Sequence, residues 1–457
     1  MTFLRLLVFP LIFVVAVGIL AADRASTPSY ASVKPVLDQP GDLLPAQLRN
    51  PNEVKWRTWR QQQDKAIRAR LQQGDLDSMV NLLLYGTSFT KQPRIKVENF
   101  TQASKAGIVR ARLDDLVAGL RSPGDNERLI FLNSLLRSQG IDPNSPGETG
   151  VFLYKNLARV LQEMETLSKR AEEAKSLTKP DAVADPAAAI FNWRPGLFHD
   201  RGVSLDTGIF PNFSIDQALR DLENRGVLRE GQVARVAVIG PGLDFSDKNE
   251  NVSYDYYPQQ TLQPFALFDS LVRLGLAKPG ALSMSIFDIS SRVIGHIQRA
   301  RERARVNTGY VIQLPREIAL PWPPDLIAYW RSLGDSVGAD VAPIGPPDTL
   351  QGLETRAVRI RPDVVLACQA VDLNIVLERL NLGEAGRFDL IVGTNIFIYY
   401  DAFERSLALE NAGSMLKHGG LLLTNDRLPE VPAGSMRQAG VTEVPYNRDA
   451  IGWYRKQ

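Results

Sequence analysis

The sequence predicts an α/β fold class: a mainly parallel sheet with helices on both faces, behind a mostly α-helical domain and an N-terminal apolar segment. Three observations carry this. Apolar residues recur at helical spacing through residues 52–177, as in "NERLIFLNSLLRSQG". From residue 191 onward short apolar runs alternate with helical patterns, the signature of strand–helix–strand units. The chain opens with "LLVFPLIFVVAVGILAA" (Leu6 to Ala22), an apolar run behind Arg5.

That run has the make-up of a signal-peptide core or a short membrane anchor, and at 17 residues it is short against the roughly 20 that span a bilayer. The sequence therefore predicts a segment 1–25 that is either cleaved or retained. The protein is then membrane-anchored or exported, with the side of the membrane open. An uncleaved segment makes the membrane a partner.

Residues 26–51 carry five prolines and no sustained period, which predicts a linker. The helical domain follows over 52–177. It opens with "NEVKWRTWRQQQDKAIRARLQQ" and closes with "VFLYKNLARVLQEMETLSKRAEEAKS", where Leu157, Val160, Leu161 and Met164 form one stripe. "TKPDAVADPAAA" has linker composition, so 178–190 is set apart from the α/β domain of 191–457.

Within that domain "SIDQALRDLENRGVL" predicts a helix opened by a capping box, Ser214 with Gln217 three residues on. Strands are expected at "VARVAVIG", "ALSMSIFDIS", "DVVLACQAVD", "FDLIVG", "GGLLLTND" and "AIGWYRK". Helices are expected at "PFALFDSLVRLGL", "SRVIGHIQRARERA" and "ERSLALENAGSML".

Composition excludes several function classes. Lys+Arg number 53 against 51 Asp+Glu, so overall charge does not point to nucleic acid as a partner. Cys368 stands alone and the three histidines, His199, His296 and His418, are far apart. No metal site is expected from such a set.

The chemistry-bearing stretch is "RVAVIGPGLDFSDK". An apolar strand ends in Gly240-Pro241-Gly242 with Asp244 just beyond. Residues without Cβ permit a tight turn and close approach of backbone to a ligand. In open α/β sheets that place, outside the carboxyl ends of the strands, is where ligands bind. Asp288 ends the next strand, "SMSIFD", where an acid accepts hydrogen bonds from a ribose diol. Asp244 and Asp247 sit where a dinucleotide pyrophosphate would meet negative charge, so a cationic ligand is favoured over a nicotinamide cofactor.

These residues resemble the class I S-adenosylmethionine-dependent methyltransferases, and most of all the CheR-type chemotaxis receptor methyltransferases. The resemblance covers roughly 233–430. It runs through "QPFALFDSL", "FDISSRVIGHIQRARERA", "PPDLIAYWRSLG", "RAVRIRPDVVLACQAVDLNI", "RFDLIVGTNIFIYYD" and "LKHGGLLLTND" in that order. It implies a Rossmann-like methyltransferase domain and S-adenosyl-L-methionine as cofactor. It also implies cofactor contacts from Gly240, Pro241, Gly242, Asp244, Asp288, Ile289, Asp372 and Leu373, with Asn395 and Tyr399 beside the transferred methyl group.

Two departures bear on the substrate. Thr394 stands where the family has arginine, and the stretch between Gly242 and Gln263 is long and rich in acids and tyrosines. The methyl acceptor is therefore open, with a carboxylate and a protein among the candidates. Tyr256, Tyr257, Tyr400, Trp322 and Trp330 either shape such a site or pack. The competing expectation is a non-catalytic, envelope-associated scaffold that keeps the methyltransferase fold. Val238, where many methyltransferases have an acid, and Asp244, in place of a third glycine, both favour it.

Overall fold

The computed structural model describes residues 25–39, 43–95, 102–177, 202, 208–246, 254–444, 446 and 449–457. In chain order the elements begin with β1 (Ala25–Ser26), α1 (Tyr30–Leu37), α2 (Glu53–Tyr85), α3 (Gln102–Arg121), α4 (Glu127–Ser138), α5 (Pro146–Leu177) and α6 (Ile209–Asn224). Next come β2 (Arg235–Ile239), α7 (Gln263–Arg273), β3 (Ser283–Asp288), α8 (Ser291–Arg305), β4 (Tyr310–Glu317), α9 (Pro324–Ser332), β5 (Gly338–Val341) and β6 (Leu353–Ile360). The last group is α10 (Pro362–Ala367), β7 (Cys368–Asp372), β8 (Arg379–Leu380), β9 (Phe388–Gly393), α11 (Ala402–Met415), β10 (Leu416–Thr424), β11 (Met436–Val444) and β12 (Asp449–Lys456).

The central sheet has seven strands in the order β11-β12-β10-β9-β2-β3-β7. From β10 to β7 every pairing is parallel, and β12 runs antiparallel to both of its neighbours. This is a doubly wound, Rossmann-like arrangement. The chain goes from β2 outward to β3 and β7, returns to β9 on the other side of β2, and so places its topological switch point between β2 and β9. The strands read as apolar runs because both faces of the sheet are covered. Val236, Ala237 and Val238 are each fully buried.

Two sequence expectations are changed by local physics. The helix before β2 starts at Ile209, with Gly208 as its cap, and Ser214 lies buried inside it, so the expected capping box is not used. The "DVVLACQAVD" stretch is a short helix, α10, that turns into β7; Pro362 at its first position presets helical φ. Between α8 and β7 the chain also builds a separate three-stranded antiparallel sheet, β4-β6-β5, which the strand-and-helix alternation did not reveal.

The fold class is corrected for the described residues, which contain no membrane-spanning segment. Among the described residues no helix is long and apolar enough to cross a membrane. The long helices α2 and α5 carry charges along their length, where a span needs about 20 predominantly apolar residues. Attachment to a membrane as partner and a membrane-anchored location are corrected with it. The run Leu6 to Ala22 itself lies outside the described residues, as does the linker 178–190.

Three apolar clusters hold the molecule together. One fills the sheet face carrying α6, α7 and α8. A second fills the other face, under α11, and takes in Val33, Val36 and Leu37 of α1 together with Trp56, Trp59 and Ile67 of α2. The third lies within the helical layer, with Met79, Val80, Leu82 and Leu83 of α2 among residues of α3, α4 and α5. Helix α2 thus belongs to two cores. At 33 residues and 1.5 Å per residue it is about 50 Å long, enough to reach from one to the other. Each large apolar side chain it buries contributes roughly 1.5–3 kcal/mol. The proline-rich stretch before it is docked as well: β1 pairs with β8, and α1 is capped by Ser29 and packs against α11.

Candidate functional site

The glycine turn follows from the register. Ile239 pairs with Phe287 on one side and Gly393 on the other, and the amide of Gly240 donates to the carbonyl of Phe287 at 2.7 Å. Gly240 and Gly242 have φ of +60° and +68°, the left-handed region that an L side chain resists. A Cβ on Gly240 would also strike Cδ1 of Ile396, with Cγ1 at 2.9 Å.

Asp288 closes β3 one position beyond Phe287, so the register brings it beside Gly240. It pairs with Asp372 of β7, and the amide of Leu373 donates to its carbonyl at 3.1 Å. The side chain is buried, 5% exposed. Its Oδ1 accepts from the amide of Ser290 at 2.8 Å, while Oδ2 is buried with no partner. Burial pushes the carboxyl up to about 7, and nearby Asp372 pushes the same way. The amides of Ser290 and Ile289, and then Arg292, pull it down. Oδ2 of Asp288 is thus able to accept a further hydrogen bond.

Asp244 has a different environment. It too is buried, but its Oδ1 accepts from the amide of Gln260 at 2.8 Å and stands 3.6 Å from Nη2 of Arg128 on α4. Arg128, itself 2% exposed, also donates to the carbonyls of Phe245, Tyr254 and Tyr257. The negative charge that led us to expect a cationic ligand beside Asp244 is therefore faced by a buried guanidinium. A small cavity does border Asp244, lined also by Tyr257, Gln260, Gln313 and Trp330.

The fourth strand supplies the remaining predicted residues. Thr394 is buried and its Oγ1 accepts from Nε2 of Gln263 at 2.8 Å. Asn395 is exposed and has φ of +57°, an uncommon conformation for a residue with a side chain. Asn425, beyond the end of β10, holds it there: the Asn395 amide donates to Oδ1 of Asn425 at 2.8 Å, and Nδ2 of Asn425 donates to Oδ1 of Asn395 at 2.9 Å. Asp426 accepts from the amide of Phe397 at 2.8 Å. Neither Asn425 nor Asp426 was singled out by sequence. Their signal was a polar triplet, "TND", directly after an apolar strand.

Tyr399 and Tyr400 are buried in a 3-10 turn and the residue after it. Tyr257, Trp322 and Trp330 are buried too; Nε1 of Trp330 donates to the carbonyl of Leu314. His296 packs in the interior. It is buried against the hydroxyl of Tyr310, 2.7 Å from Nε2, and burial together with Arg299 and Arg303 lowers it to about 4. Tyr310 also accepts from the amide of Thr261 at 2.8 Å.

Helix α2 runs across this whole edge. Gln63 donates to Glu404 of α11, Asp64 accepts from Asn374 beyond β7, and Arg70 donates to the carbonyl of Tyr399. Arg68 reaches Asp372 at 3.0 Å and the carbonyl of Ile289 at 3.4 Å. Asp75 accepts from Arg292 on α8. Leu373 is buried in the cluster that contains Ile67, with Ile289 packed against it.

No family model matches the chain, and no curated protein matches it. Among solved structures, the chain is similar to MtNAS in complex with MTA and tNA (11% identity, 79% of this chain and 91% of that one, TM-score 0.24). It is also similar to the SAM-bound magnesium protoporphyrin IX methyltransferase (ChlM) from Synechocystis PCC 6803 (13%, 61% and 100%, TM-score 0.26). A third is the glycopeptide N-methyltransferase MtfA complexed with S-adenosyl-L-homocysteine (11%, 60% and 99%, TM-score 0.25). At such scores the fold rests on the strand order and register described above.

Proposed function

We propose that the carboxyl edge of the sheet binds the adenosyl group of S-adenosyl-L-methionine and that the chain is a methyltransferase of class I. The carrying observation is the open Oδ2 of Asp288 beside the positive-φ turn of Gly240 and Gly242. The two lie at the switch point, where ligands of doubly wound sheets bind. Support also comes from the sheet: an antiparallel β12 between β10 and β11 departs from the dinucleotide order and agrees with the class I methyltransferase order.

In this reading Asp288 accepts hydrogen bonds from the ribose diol, and Pro241 with the flanking glycines lets backbone approach the methionyl part. Ile289, Asp372 and Leu373 border the adenine. The cofactor supplies an electrophilic methyl group on its sulfonium. Asn395 and Tyr399 then orient the acceptor in line with it, where placement is the main source of rate. A carboxylate acceptor, as in the CheR-type enzymes, needs no base because it is ionised at neutral pH. An amine or hydroxyl would need one. Support for a carboxylate is limited to the collinear motifs. Thr394, engaged by Gln263, offers no cation to hold one.

Titration calorimetry of the full chain with S-adenosyl-L-homocysteine tests the proposal. One binding site is expected, weakened at least tenfold by Asp288→Asn, the loss of a hydrogen bond to a charged acceptor. A second reading, the scaffold that keeps the fold without the chemistry, is favoured by Ile396 lying against Gly240 and by α2 covering the strand ends. A chain that binds neither the cofactor nor its demethylated product would leave that reading in place.

A further inference from the structure

We infer that α2 gates the adenosyl site and that Arg68 is the residue that sets access to it. The inference rests on the adenosyl reading above. Arg68 engages the two strand ends that border the adenine in that reading: its guanidinium holds the carboxylate of Asp372 and reaches the carbonyl of Ile289. One turn earlier Asp64 receives Nδ2 of Asn374, and it lies within 3.3 Å of Arg68. Between them Ile67 is fully buried in the cluster that includes Leu373. With α2 in this position the apolar walls of the adenine slot pack into a protein core, while Oδ2 of Asp288 beneath stays unsatisfied. A ligand that satisfies that oxygen must part the slot, and to do so must take Asp372 from Arg68.

The latch is built to open. The side chains of Arg68 and Asp372 are 34% and 60% exposed, and a solvated ion pair of this kind holds weakly. The firm anchors of α2 lie to either side. Trp59 packs edge-on against Phe403 at 5.2 Å, and the other end is buried in the helical core. Residues 61–75, between these ends, are held also by Gln63 on Glu404, Arg70 on the carbonyl of Tyr399 and Asp75 on Arg292, and opening the gate requires this segment to shift with those contacts.

The test uses the full chain with S-adenosyl-L-homocysteine as probe, comparing wild type, Arg68→Gln and Arg68→Lys by calorimetry. Amide exchange of residues 61–75 is followed with and without the probe. Removing the latch is expected to tighten binding about two- to fivefold, the range an exposed ion pair commands, with Arg68→Lys near wild type. Exchange in 61–75 is expected to quicken when the probe binds. Equal or weaker binding by Arg68→Gln, or unchanged exchange in wild type, overturns the gate and leaves the adenosyl reading standing. Absence of binding in all three chains overturns both.

Discussion

Two aspartates, 44 positions apart and equally hidden, share a pattern, a backbone amide on Oδ1 and an Oδ2 with no hydrogen bond, and differ in the charge that faces them. Asp244 is met by a guanidinium from another layer, and that guanidinium also takes three carbonyls. Asp288 accepts the amide of Ser290 on Oδ1, and its Oδ2, like that of Asp244, makes no hydrogen bond. A buried charge that belongs to the architecture is paired by it, because an unpaired one costs several kcal/mol. Among the described residues Asp288 has no comparable ion pair, and its open Oδ2 is what the adenosyl reading builds on.

Substitutions sharpen this contrast. The largest effect is expected from Arg128→Ala, which strands Asp244 and three carbonyls. Removing one partner of a buried pair costs about 3–5 kcal/mol, read as a lower denaturation midpoint. Asp288→Asn should do the reverse. The Asp288 carboxyl is raised from its ordinary value near 4 to about 7, so the folded state binds the proton more tightly than the unfolded chain. Its contribution to stability is full below the unfolded value and is lost as pH rises through about 7. Three units correspond to on the order of 4 kcal/mol. The asparagine variant should lack that slope and outlast wild type above pH 7. A wild-type profile flat between pH 4 and 7 would contradict this.

Gly240→Ala comes next. The left-handed φ costs about 1–2 kcal/mol and the methyl group meets Ile396 in addition. Ile396→Ala combined with it should be less damaging than the sum of the two, as expected for residues in contact. Smallest is Arg68→Gln, expected to shift stability by at most about 1 kcal/mol because the pair faces solvent.

How much of this was legible in the sequence follows from which interactions are local. Gly240, Gly242 and Asp288 could be placed because strand, turn and strand end are written in consecutive residues. The alternation of strands and helices was likewise visible. What could not be read is contact between distant segments. Arg128 lies more than a hundred positions before the loop it holds, and Arg68 about three hundred before Asp372. Both sit in helical patterns where an arginine ordinarily means a solvated face. The sheet of β4, β5 and β6 escaped for a related reason: its strands pair antiparallel across an intervening helix and leave no period that singles them out. Asn425 was missed although its neighbours were quoted, because its role depends on the left-handed turn at Asn395 on the adjacent strand.

The central claim is that Oδ2 of Asp288 waits for the hydroxyls of a ribose. The most direct test is a thermodynamic cycle measuring the affinity of the full chain, wild type and Asp288→Asn, for S-adenosyl-L-homocysteine and for its 2′,3′-dideoxy analogue. Loss of affinity on removing the diol from the ligand in wild type, with little further loss in the Asp288→Asn chain, is the predicted result. Equal affinity of wild type for both ligands, or none for either, would contradict it.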